Sequence, residues 1–236
     1  MINKDGNLYT FSFAILLVCI VGTTLALASQ GLKTKQLKNA SDKKMISILS
    51  AVNIDANRIN AKSLFDKYIL KNESKVISGL NKKENSFNID IKKEYRNTKI
   101  SFNDRNYPLF VCKKDTSTYY IIPVVGTGLW GPIWGYISLE SDLKTIYGAN
   151  FDHKTETPGL GAEIKESFYS DQYIGEEITD EFGKFKPITV VKDGSGYGIN
   201  SKVDGITGGT ITSKGVEEMT SRTLKVYVNY FKNINN

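Results

Sequence analysis

From Leu8 to Ala28 the chain reads LYTFSFAILLVCIVGTTLALA without a charged residue. A helix needs ~20 apolar residues to cross a hydrocarbon core, so this run predicts a single-pass transmembrane helix in contact with the lipid bilayer. A cleavable signal peptide is the alternative, because Ala26 and Ala28 form an A-x-A-like site before Ser29. Two features favour a retained anchor. The apolar run exceeds the about 7–15 residues of a signal core, and Lys4 is offset by Asp5 rather than joined by further basic residues. Cys19 stands in the middle of the run, which excludes a lipoprotein site. The lysine-rich KTKQLKNASDKK that follows points to the cytoplasm under the positive-inside rule, a rule that loses force when a long domain follows.

Beyond the span the period changes. Leu37, Ala40, Met45, Ile48, Leu49 and Val52 fall on one stripe of a helix with lysines opposite, and AKSLFDKYI predicts a second helix after the Asn-rich turn Asn53–Asn60. The polar NKKENS, Asn81–Ser86, predicts a solvated loop. From Phe87 onward FNIDIKK, PLFVCKK, TSTYYIIPVV, IWGYISLES and LKTIYGANF are short, rich in β-branched and aromatic residues, and read as strands. GAEIKESFYSDQYIGEEI reads as a helical return, and ITVVK and INSKVD as two more strands. A closing helix over about Ser213–Asn233 has its apolar face at Val216, Met219, Thr223, Val226, Tyr227, Tyr230 and Phe231. These elements predict an α+β fold in three parts: a membrane anchor over 1–30, a juxtamembrane helical region over 31–80, and an α+β domain over 81–236 that ends in a C-terminal helix.

Length and charge narrow the function. At 236 residues, with 40% hydrophobic and 24% charged, the chain suits one folded soluble domain. The net charge of +6 is spread among acids and asparagines rather than gathered into a stripe with aromatics, which argues against nucleic acid as a partner. Cys19 and Cys112 suggest no disulfide framework, and Cys112 reads as a small buried hydrophobe. His153 is the only histidine; it leaves no zinc ligand set and makes a Ser-His-Asp triad hang on one residue. No catalytic residue and no metal site is predicted.

The stretch DGITGGTITSKGVEEM, Asp204–Met219, carries the most chemistry. It is not a Walker A loop, since Ser213 stands where glycine must precede the lysine. GSGYGI, Gly194–Ile199, lacks the third glycine of a dinucleotide fingerprint and reads as a turn. Gly208 and Gly209 free the backbone, Thr210 and Thr212 offer hydroxyls, and the following helix presents unpaired N–H groups at its positive end, which suits a phosphate. The plainer reading is an N-cap by Thr212 or Ser213.

Asp204-Gly205-Ile206-Thr207-Gly208-Gly209-Thr210 resembles the flavinylation motif D-x-x-S/T-G-A-T, whose last threonine carries FMN through a phosphoester; Gly209 stands in place of the usual alanine. The motif is common to the C subunit of the sodium-translocating NADH:quinone reductase and to the flavoprotein subunit of the ion-translocating ferredoxin:NAD complex. NKDGNLYTFSFAILLV, KQLKNASDKKMISILSAVNI, GTGLWGPIWGYISLE and TETPGLGAEI resemble the C-subunit family of the quinone reductase along nearly the whole chain. The ferredoxin-type subunit and a membrane-anchored non-redox binding module are the alternatives.

The resemblance implies an electron-carrying flavoprotein subunit of a membrane complex that oxidises NADH, reduces ubiquinone and exports sodium. It implies covalent FMN at Thr210, delivered by a flavin transferase, with Thr207, Gly208 and Gly209 around it. Thr157, Pro158, Gly159, Leu160 and Gly161 are implied to approach the flavin ring, and Trp130 to lie beside it while Trp134 packs in the core. His153 reads more simply as a structural histidine than as a proton donor to reduced flavin, and Lys214 either faces the phosphate or is solvated. The implied location is the bacterial inner membrane, with the soluble domain on the periplasmic side and the other subunits as partners. A single span without charge offers no ion path of its own.

Overall fold

The computed structural model describes residues 6–79 and 84–235. Lys4, Asp5 and the Asn81–Lys83 part of the predicted polar loop lie outside the described residues. The chain divides into two compact units, Met1–Lys44 and Met45–Asn236.

Helix α1 (Asn7–Ser50) supplies the described part of the first unit. Leu8, Phe11, Ile15, Leu16, Val18, Ile20 and Leu25 are all exposed along it. Its most apolar 18-residue window has a mean hydropathy of 2.4, with none of that window buried. That window, apolar around its whole circumference and exposed, is long and hydrophobic enough to cross a bilayer, where its backbone hydrogen bonds are satisfied internally.

The second unit is built on an antiparallel sheet in the order β1 (Lys75–Val76), β2 (Pro108–Lys114), β3 (Ser117–Thr127), β4 (Pro132–Leu139) and β5 (Ile146–His153). Successive strand residues point to opposite faces, and both faces are covered. Ile122, Val124 and Ile137 join Val216, Met219 and Tyr227 of α5 (Thr210–Asn235) in one core. Ile121, Tyr136, Phe110 and Cys112 join Met45, Ile48, Leu49, Val52 and Phe65 of α2 (Ala61–Tyr68) in the other. Burial on both faces explains why the β3 sequence runs YYIIPVV instead of alternating with polar residues.

The end of α1 leaves carbonyls without intrahelical partners, and the sheet supplies donors. Ser138 Oγ donates to Ala51 O at 2.5 Å, and Asn150 Nδ2 to Ser47 O at 2.7 Å. Lys114 Nζ donates to Val52 O and Asn53 O. Two short parallel strands, β6 (Thr189–Val191) and β7 (Lys202–Asp204), then lead the chain to α5.

Three expectations are corrected. FNIDIKK is a 3-10 turn over Ser86–Asn88 and then α3 (Ile91–Arg96), not a strand. Asn85 Oδ1 accepts from Phe87 N, and Asp90 accepts from the N–H groups of Lys92 and Lys93, so local capping overrides the β-like composition. The helical return is broken into a 3-10 segment over Gly161–Lys165, a single turn α4 (Ser167–Ser170) and a second 3-10 turn over Asp171–Tyr173. Buried Ala162, Ile164, Tyr169 and Tyr173 are held by the core at a spacing no single helix would satisfy. The closing helix starts at Thr210, three residues ahead of Ser213.

Candidate flavin site

Chain reversal by Gly208, at φ 71°, delivers Thr210 as the first residue of α5. Only a residue without Cβ adopts that dihedral freely. The N–H of Ser213 donates to Gly209 O at 2.9 Å, so the N–H groups of Thr210, Ile211 and Thr212 stand ahead of the first bond of the helix ladder. The expected side-chain N-cap is absent. Thr212 Oγ1 donates to Glu156 Oε2 at 2.5 Å, while Ser213 Oγ donates to Gly209 O and accepts from Ile206 N, both at 3.0 Å. The Thr210 hydroxyl, half-buried, has no hydrogen-bond partner among the described residues. Thr207 is exposed beside it.

The TETPGLG loop approaches this helix end. Thr157 O accepts from Leu160 N and Ala162 N, both at 3.1 Å, and Gly159, at φ 75°, donates its N–H to Glu163 Oε1 at 2.7 Å. Leu160 lies against Gly208, where an added Cβ would stand 2.5 Å from Leu160 Cδ2. The third segment is the turn Gly128–Gly131 between β3 and β4, closed by Gly128 N donating to Gly131 O at 2.8 Å. Thr155 Oγ1 donates to Trp130 O at 2.9 Å, and Trp130 is 65% exposed.

Glu156 joins all three segments. It is 4% exposed; Oε1 accepts from Trp130 N at 2.8 Å and Oε2 from the Thr212 hydroxyl. Below the α5 turn, burial holds the Tyr169 phenol well above its ordinary pKa, against the lowering effect of hydrogen bonds to Tyr173 and Ser213, so it stays neutral.

The predicted residues therefore divide. At the start of α5 Gly208 meets Leu160 and Gly209 meets Gly161; no direct contact of Thr157 or Gly159 with Thr207–Thr210 is seen among the described residues, and Trp130 is tied to Thr212 of the same helix turn through Glu156. Lys214 does not face the helix end; its Nζ donates to Val190 O and Glu217 Oε2, both at 2.7 Å. Trp134 is half-buried under Lys92, whose Nζ sits 3.0 Å from the ring centroid, rather than in the core. His153 Nδ1 accepts from Glu156 N at 3.1 Å, a structural role. Glu156 was missed by sequence reasoning. It stands in the quoted TETPGLG run, but an acidic residue before Thr-Pro-Gly reads as solvated until its burial is known.

A crystal structure of the C subunit of Na(+)-translocating NADH-quinone reductase from Parabacteroides distasonis is 38% identical to this chain, with a TM-score of 0.73, covering 84% of this chain and 96% of that one. The chain belongs to this C-subunit family. Among its relatives there, the C subunit of Vibrio parahaemolyticus is 29% identical over 235 residues, covering 91% of this chain and 89% of its own. The structure of Shewanella oneidensis NqrC, at 21% identity and a TM-score of 0.64, shares the fold. The family model for the FMN-binding domain matches residues 128–225, a span that opens at the Gly128–Gly131 turn and closes within α5. All three segments that Glu156 joins in this family member fall inside it.

Proposed function

We propose that this chain is the FMN-carrying subunit of a membrane NADH:quinone reductase that exports sodium, and that its flavin is esterified through phosphate to Thr210. The observation that carries the reading is the state of the hydroxyls at the start of α5: Thr212 and Ser213 are engaged, and Thr210 is free beside unpaired helix N–H groups. Those N–H groups and the positive end of a 26-residue helix suit a phosphodiester at that oxygen.

The residues present fit the group. Trp130, Leu160 and Ile211 are exposed apolar side chains around the helix end, a surface on which an isoalloxazine ring can pack. FMN, when bound, supplies the redox chemistry. Thr210 bears the linkage and takes no part in proton or electron steps. Thr157, Gly159 and Leu160 exclude water from the ring side, and Gly208 and Gly209 let the backbone come close. A threonine hydroxyl without an adjacent base is a poor nucleophile, which supports delivery by a separate flavin transferase.

The family and the apolar helix support the remaining features of the reading. The soluble domain stands on the periplasmic side of the inner membrane, the other subunits of the complex are its partners, and the division 1–30, 31–80 and 81–236 describes anchor, junction and flavin domain. Covalent attachment prevents loss of the cofactor outside the cytoplasm. Co-expression of the full chain with a flavin transferase tests the assignment. Thr210→Ala is expected to abolish the fluorescent flavin band on a denaturing gel, and a retained band would overturn it.

A further inference from the structure

We propose that Glu156 is the positioning residue of the flavin site: its carboxylate holds the Gly128–Gly131 turn and the first turn of α5 in register with the TPGLG loop, and its fixed negative charge keeps the flavin reduction potential low. The potential effect rests on the flavin assignment to Thr210.

The hydrogen-bond pattern suits an ionised Glu156. Trp130 N–H can only donate, and the Thr212 hydroxyl gives its proton to the second oxygen, so both oxygens of Glu156 act as acceptors. A carboxylate satisfies that pattern with both partners. Two glycines wrap it: an added Cβ at Gly128 would stand 2.7 Å from Oε1, and one at Gly161 2.7 Å from Oε2. No lysine or arginine pairs with Glu156 among the described residues, and Lys214, the nearest in sequence to Thr212, is engaged by Val190 and Glu217. The anion is therefore balanced by an N–H, a hydroxyl and the end of α5.

Its place gives it leverage. Thr212 lies two residues beyond Thr210, and Trp130 and Leu160 belong to the two loops that Glu156 and its neighbours connect. A buried charge without a counter-ion acts through a low effective dielectric. Reduction adds electrons to the flavin, so a nearby fixed anion disfavours the reduced form, and removing it favours that form.

Glu156→Gln separates the two roles. Glutamine keeps the shape, its oxygen accepts from Trp130 N–H, and its amide can donate to the Thr212 hydroxyl, which turns to accept. Glu156→Ala removes both tie and charge. The full chain is expressed with the transferase as wild type, Glu156→Gln and Glu156→Ala, and the flavin is titrated spectroelectrochemically. Glu156→Gln is expected to load flavin as the wild type does, with the reduced-to-oxidised ratio at a fixed applied potential raised about tenfold. In flavin-free Thr210→Ala chains, adding Glu156→Ala is expected to speed amide exchange in 128–131 and 156–161 at least about tenfold.

A Glu156→Gln chain that titrates at the wild-type potential overturns the charge effect. Equal exchange with and without Glu156→Ala overturns the positioning role. A wild-type chain without flavin overturns the assignment to Thr210 and the potential effect with it, whereas the exchange comparison needs no flavin and fails only if Glu156 does not hold the loops.

Discussion

Glu156 and Thr212, 56 positions apart, share a buried 2.5 Å hydrogen bond that fixes the loop before α4 to the first turn of α5. Two residues earlier, Thr210 carries a hydroxyl with no such tie. The contrast separates a structural threonine from the one proposed to take the flavin.

Thr212→Val should therefore destabilise where Thr210→Ala does not. Loss of the Thr212 hydroxyl leaves one oxygen of a buried carboxylate without its donor, at a cost of about 1–3 kcal/mol. Thr210→Ala in the flavin-free chain should stay within about 0.5 kcal/mol of wild type. Urea unfolding followed by tryptophan fluorescence distinguishes them.

Gly161 and Gly208 each disfavour a side chain, for different reasons. A Cβ at Gly161 collides with Thr212 Oγ1 and Glu156 Oε2, both pinned by their shared bond. Gly161→Ala is expected to cost about 1–3 kcal/mol as an overpacked buried site. Gly208→Ala is strained by its positive φ and meets the flexible tip of Leu160, so about 1 kcal/mol is expected, together with a displaced Leu160. Thermal melting orders the two, and a chemical-shift map shows whether Leu160 moves.

On the opposite face of the sheet, Leu49 is fully buried among Met45, Phe65 and Cys112. Leu49→Ala should lose about 2–5 kcal/mol through the cavity it leaves. Ser138→Ala removes the hydroxyl that serves Ala51 O, and should cost about 1–3 kcal/mol without creating a comparable void. Denaturant midpoints of the full chain in detergent check both.

Alkali should weaken the fold. Burial pushes the Cys112 thiol from 9.0 up to about 11, and the Tyr107 phenol from 10.0 up to about 12. Tyr169, Tyr173 and Tyr227 are raised by burial as well. Each group is neutral in the folded protein over a range where the unfolded chain has lost its proton. The unfolded state then binds fewer protons, and stability falls as pH rises through about 9–12. Below pH 9 these groups contribute no slope. The expected curve is level below that value and descends above it; a stability that stays level to about pH 12 would contradict the burial argument.

The sequence by itself determined the elements whose signal is local. A charge-free run long enough to cross a bilayer, the β-branched strands β2 to β5, and the 3.6-residue stripe from Val216 to Phe231 depend on residues a few positions apart. The Asp204–Thr210 motif was legible for the same reason. Capping at Asn85 and Asp90 was also local, yet it was hidden beneath a composition that favours strands.

Tertiary structure decided what depends on distant partners: that Thr212 and Ser213 are occupied and Thr210 is free, that Lys214 turns to Glu217 and Val190, and that Glu156 is buried beneath three segments. No local pattern distinguishes a solvated glutamate from a buried one. The difference is created only when the fold brings Trp130 N–H and the Thr212 hydroxyl to its oxygens and removes water, because a carboxylate is stable there only with those donors in place.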